Sequence, residues 1–96
     1  MYIDDTQFES AIQNDVIIDF YAEWCGPCKL VSDVLGQTQV KTKVVKMDVD
    51  KNGYTPMSLG IRSIPTLVFF KNGNEVHRHT GVIRKDEFES LVKKIY

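Results

Sequence analysis

Val16-Ile17-Ile18-Asp19-Phe20-Tyr21-Ala22-Glu23-Trp24-Cys25-Gly26-Pro27-Cys28-Lys29 runs from an apolar stretch through two cysteines into a new pattern. Residues 16–22 are nearly all apolar, rich in β-branched and aromatic side chains, which predicts a strand buried on both faces. A helix is expected from Pro27 or Cys28, with Leu30, Val31, Val34 and Leu35 at helical spacing and Gly36 as its stop. Residues 42–49 form a second β-branched run. Strand, helix, strand in this order is a right-handed crossover with its two strands parallel. The cysteines then sit at the carboxyl end of the first central strand, opening the next helix, where α/β sheets usually place their sites.

The flanks fit the same architecture. Thr6-Gln7-Phe8-Glu9 has the form of a capping box, opening a first helix that reaches about Ile12. Gly53, Pro56 and Gly60 leave room for only a short helical piece between residues 50 and 60. Residues 66–71 and 75–80 flank Asn72-Gly73-Asn74, a signal for a tight antiparallel hairpin. A last helix over residues 86–95 shows Phe88, Leu91, Val92 and Ile95 on one face. There is no repeat, low-complexity tract or linker. The expectation is one α/β domain over residues 1–96, a central mixed β-sheet flanked by helices on both faces.

Bulk properties narrow the function. With 96 residues, 43% of them hydrophobic, the chain buries a real core without crosslinks or metals. A formal net charge of −1 gives no long-range pull toward nucleic acid or an anionic membrane. Met1-Tyr2-Ile3-Asp4-Asp5 lacks the basic and apolar regions of a secretory signal. Leu67-Val68-Phe69-Phe70, the longest apolar run, is far too short to cross a bilayer. These features predict a soluble, cytoplasmic monomer. In a reducing compartment a cysteine pair is catalytic or metal-binding rather than structural.

Both cysteines of the chain lie in Trp24-Cys25-Gly26-Pro27-Cys28. Either they oxidise to one another in a very small ring, or they supply half of a metal site. A structural staple is the weakest reading. Crosslink entropy grows with the loop closed: about 2 kcal/mol for so short a loop, against about 4.7 for roughly 100 residues. A metal needs two more ligands. His77 and His79 alternate on one strand face, but nothing in the sequence brings them to the cysteines, so no metal is expected.

The stretch from Val16 to Lys29 closely resembles thioredoxin. The match continues through Lys46-Met47-Asp48-Val49-Asp50, Gly60-Ile61-Arg62-Ser63-Ile64-Pro65-Thr66-Leu67, Phe70-Lys71-Asn72-Gly73 and Gly81. It covers essentially the whole chain in the family's order. The resemblance implies the thioredoxin fold and reduction of protein disulfides, with no cofactor beyond the redox-active Cys25–Cys28 disulfide. It also implies two kinds of partner, disulfide-containing protein substrates and a thioredoxin reductase.

Roles follow for individual residues. Cys25 at a helix start meets free N–H groups and the positive end of the dipole, so its thiolate is favoured and can attack a disulfide. Cys28, a turn further in and more shielded, is the expected resolving thiol. Pro27 lacks an N–H and costs nothing in a first turn. Asp19, a carboxylate in mid-strand, is costly to bury and its pKa should rise. It is read as the proton acceptor for Cys28, against the plainer alternative of a strand-end aspartate reaching water. Lys46 matches the family's lysine near this aspartate; a lysine snorkelling from a strand is the alternative.

Pro65 by itself reads as a strand-initiating proline, but the resemblance implies a cis bond beside the disulfide. The Ile64 backbone could then pair with an extended substrate segment. Trp24, Gly26, Pro27, Val49, Ile64, Gly81 and Val82 would frame an apolar docking patch. Asp48 and Asp50 are expected to be solvated turn residues.

The chain also departs from the family. Asp33 stands where a proline usually kinks the second helix, which implies a straighter helix. The segment between Cys28 and Lys46 is about one turn shorter than in common bacterial thioredoxins, Tyr21 replaces a tryptophan, and Ser63 replaces a frequent glycine. Three rival functions use the same fold. A disulfide oxidase or isomerase is disfavoured by Gly26-Pro27 between the cysteines, as is a glutaredoxin. A non-catalytic binding subunit would use the same patch.

Overall fold

The computed structural model describes all 96 residues. After a 3₁₀ turn (Asp5–Gln7) the elements are α1 (Phe8–Ala11), β1 (Val16–Tyr21), α2 (Gly26–Gln37), β2 (Lys43–Asp48), α3 (Tyr54–Ser58), β3 (Thr66–Lys71), β4 (Asn74–Thr80) and α4 (Lys85–Ile95). The four strands form one sheet in the order β2-β1-β3-β4. β1 runs parallel to β2 and antiparallel to β3, which in turn pairs antiparallel with β4.

β1 holds the centre because its side chains suit burial on both faces. Val16, Ile18 and Phe20 join Ile3, Ile12, Met47 and Val68 in one core layer, with Phe8 and Leu59 packed against it. Ile17 points the other way, into a second layer of Val31, Leu67, Phe69, Ile83, Phe88 and Val92 beneath α2 and α4. Each fully buried side chain of this size contributes about 1.5–3 kcal/mol. Asp19 interrupts that second face and is fully buried there.

Local signals set the joints. Asn72 and Gly73 have φ of 54° and 83°, the positive values that a two-residue type I′ hairpin requires. α3 is short. Gly53 offers it no capping side chain, and Gly60, at φ 70°, turns the chain away just past its end. Asp86 and Glu87 in the first turn of α4, with Lys93 and Lys94 in the last, oppose the helix dipole favourably.

Several expectations need correction. The capping box lies two residues earlier, between Asp4 and Gln7, because the chain enters through a 3₁₀ turn rather than at Thr6. Gly36 does not stop α2, which continues to Gln37 with Thr38 as C-cap; a glycine in a last turn costs only about 1 kcal/mol. Leu30 shares the helical spacing but faces solvent, so within α2 only Cys28 and Val31 are buried.

Candidate active site

Cys25 is the N-cap of α2, with the extended backbone that position needs. Its Sγ accepts the Cys28 N–H at 3.2 Å, and its own N–H donates to the Ala22 carbonyl at 3.2 Å. Pro27, lacking an N–H, occupies the first turn without loss. The two cysteines are joined as a disulfide with their Cα atoms 5.2 Å apart. A thiolate formed at Cys25 on reduction lies at a helix N-terminus, with a backbone donor aimed at it. The expected contrast in shielding is absent. Cys25 is 4% exposed and Cys28 3%, because Ala22, Tyr21, Val49 and Ile64 close over both.

What separates the two sulfurs is their surroundings. Cys28 lines a small cavity of about 130 Å³ with Asp19, Ser32 and Lys46, whereas Cys25 does not. The cavity has room for water and polar groups to hold it. Asp19 is 0% exposed, and neither carboxylate oxygen has a hydrogen-bond partner. Burial pushes its pKa up to about 6, with the Lys46 charge pulling the other way. Lys46 is level with Asp19 on the neighbouring strand, yet its ammonium donates to Ser32 Oγ and stands 5.9 Å from the centroid of the Tyr21 ring. Burial, then Asp48 and other nearby acids, pushes the Tyr21 phenol up to about 12, so it stays neutral.

The remaining residues surround the dithiol. Trp24 is 72% exposed, held by a 2.8 Å hydrogen bond from its indole N–H to Asp50. Beside it an open groove of about 220 Å³ runs along Val49, Pro56, Ile61, Arg62, Ser63 and Ile64. The Ile64–Pro65 bond is cis, and neither Ile64 backbone group is taken by another backbone group. The Gly81 N–H donates to the Pro65 carbonyl at 2.8 Å, which brings Gly81 and exposed Val82 to the same side. Gly26 and Pro27 complete this face, both exposed.

The two acids at the end of β2 are not simply solvated. Asp48 is buried, its carboxylate taking the Asp50 N–H at 2.9 Å, and Asp50 then holds the indole. Sequence reasoning gave Asp50 and His79 no part in the site and passed over Ser32. His79 Nε2 donates to the Val82 carbonyl at 3.2 Å. An acid two residues past a strand end, within reach of an exposed tryptophan, was the one available signal for Asp50. His77 packs edge-on against Phe69. No three His, Cys, Asp or Glu side chains are grouped so as to hold a metal.

A cysteine pair at a helix N-terminus, in a mixed sheet flanked by helices, defines a thiol–disulfide oxidoreductase. The family model for Thioredoxin matches residues 1–94. Thioredoxin from Haemophilus influenzae is 40% identical over 101 aligned positions, covering 98% of this chain and 94% of the relative. Thioredoxin from Listeria monocytogenes is 41% identical, covering 96% and 94%. Among solved structures, a mutant thioredoxin from Halobacterium salinarum superposes with a TM-score of 0.89 at 33% identity, covering 98% of this chain and 88% of that one. The chain belongs to the thioredoxin family. It is a protein-disulfide reductase working through its own Cys25–Cys28 dithiol, without a cofactor.

Proposed function

We propose that the chain acts as a monomeric cytoplasmic electron carrier in cell redox homeostasis. It reduces accessible disulfides of protein clients and is itself re-reduced by a thioredoxin reductase. Cys25 is the attacking thiolate. Its sulfur bonds to one client sulfur, the client S–S bond breaks, and the departing client thiolate takes up a proton. Cys28 then passes its proton toward Asp19 and attacks Cys25 Sγ. The Cys25–client bond breaks, the second client thiolate leaves, and the Cys25–Cys28 disulfide remains. Two electrons pass to the client; its first thiolate takes a proton from solvent, matching the one Cys25 gave up on ionising, and its second takes the Cys28 proton held at Asp19.

The observation that carries this division of labour is the small cavity shared by Cys28 and the unpartnered Asp19 carboxylate. A base near 6 is suited to accept a thiol proton through one water at neutral pH. Lys46 tempers the charge that develops there. Trp24, Gly26, Pro27, Ile64, Pro65, Gly81 and Val82 form the docking face, with the free Ile64 backbone available to an extended client segment. Nucleic acid and membranes are not partners on this reading, which the near-neutral charge supports. No helix is long and apolar enough to cross a membrane.

Insulin-reduction turbidity with dithiothreitol tests the assignment. Cys25→Ser is expected to fall to the uncatalysed rate, and Cys28→Ser to stall as a trapped mixed disulfide. A normal rate for Cys25→Ser would sink the assignment.

A further inference from the structure

A half-buried ammonium beside a buried carboxylate ordinarily closes an ion pair, since each group is costly to leave unpaired. Here the two do not meet. Both Asp19 oxygens are buried without a partner, and neither ion pair of the fold involves Asp19. Lys46 starts from the paired position on β2, so backbone distance does not keep them apart. The ammonium is taken by the Ser32 hydroxyl, one helical turn beyond Cys28 on α2, and by the face of the Tyr21 ring.

We infer that Ser32 is a positioning residue that holds the Lys46 ammonium away from Asp19 and so keeps the carboxylate free to take a proton. The effect on catalysis rests on the reading of Asp19 as the acceptor for Cys28. The groups that face the cavity with Asp19 are Tyr2 from the first residues, Tyr21 and Glu23 from β1 and its exit, Cys28 and Lys29 from α2, and Lys46 from β2. β3 presents only Leu67 opposite. Of the two cations, only Lys46 makes a side-chain hydrogen bond, and that bond goes to the neutral serine. An ammonium released from the serine has in the Asp19 carboxylate an unpartnered acceptor of opposite charge lining the same cavity.

The test compares Ser32→Ala and Ser32→Thr with the unmodified protein. Alanine is the strongest helix former, so the fold is not at stake. The Asp19 carboxyl carbon is followed by NMR against pH in the oxidised protein. In parallel, single-turnover release of the second thiol from a disulfide-bonded peptide is measured with reduced protein. For Ser32→Ala the Asp19 midpoint is expected to move down by about one pH unit, the low end of what an adjacent cation does to a carboxylate. The inflection in thiol release should follow it, and Ser32→Thr should restore both. A Ser32→Ala midpoint that stays put or rises overturns the inference. If the midpoint moves as expected while Asp19→Asn leaves the thiol-release profile unaltered, the positioning role stands and the proton-acceptor reading fails.

Discussion

Asp19 is the residue whose chemistry and stability pull hardest against each other. Its carboxyl rises from an ordinary 3.8 to about 6 because burial disfavours the charged form. Between about pH 4 and pH 6 the folded chain therefore binds more protons than the unfolded one, and stability falls as pH rises through that window. The penalty is complete above pH 6 and absent below about pH 4, amounting to about 3 kcal/mol at neutral pH. Asp19→Ala is expected to be more stable by about 2–3 kcal/mol at pH 7, with the advantage vanishing near pH 4. Paired urea titrations at the two pH values check this; an advantage equal at both would rule out burial of charge as its cause. The same variant should slow the resolving step by roughly 100-fold, the low end of what a positioned base contributes. Asp19 was legible in sequence because a carboxylate among Ile17, Ile18 and Phe20 violates the pattern around it. Ser32 was not. A serine on a helix violates nothing, and its meaning comes only from Lys46 reaching it from β2.

Among the elements, α3 shows how a short helix can borrow what its own sequence lacks. With glycine at its N-cap, its first N–H groups would point at solvent. Asp5, some 50 positions earlier, reaches across instead, accepting the Thr55 N–H at 2.8 Å and the Tyr54 N–H at 3.2 Å, while its own N–H donates to Asn52. Asp5→Ala is expected to cost about 1 kcal/mol, the usual value of a lost cap, measured by thermal or urea unfolding. A loss confined to α3 should also loosen Pro56 and Ile61 in the groove beside Trp24, read as a higher KM for protein clients with kcat retained. An unchanged KM would separate the cap from docking. Strand and helix identities were readable from periodicity, which is local. The Asp4–Gln7 capping box and the Asp5 cap were misread or missed. The first depends on a 3₁₀ turn that competes with Thr6 for the helix start, and the second on a contact distant in sequence.

At the scale of the whole molecule, a sheet only four strands wide separates two apolar layers, each sealed by helices. The parallel β1–β2 crossover and the β3–β4 hairpin were both announced in the sequence, whereas the antiparallel β1–β3 pairing that joins them into the order β2-β1-β3-β4 is a contact distant in sequence and was not. Of the eight exposed large apolar side chains, Trp24 and Val82 belong to the proposed docking face, and the other six come singly or in pairs from other stretches of the sequence. The chain is therefore expected to sediment as a single 11.0 kDa species at micromolar concentration, with scattering dimensions close to the 12.2 Å radius of gyration. A concentration-dependent dimer would overturn the monomer.

The first three residues add a short extra rung beside β2. The Lys46 N–H donates to the Met1 carbonyl and the Ile3 N–H donates to the Lys46 carbonyl, both at 2.9 Å, while Tyr2 leans toward Tyr21 with ring centroids 6.2 Å apart. A tether, dye or surface linker attached at Met1 thus pulls on the backbone of the very lysine that tempers Asp19. One attached at the Asn72-Gly73 turn pulls on the end of β3 where Phe70 pairs with Val16, three residues along β1 from Asp19. For any sensor or immobilised reagent made from this protein, the hairpin is the handle whose backbone is not bonded to Lys46.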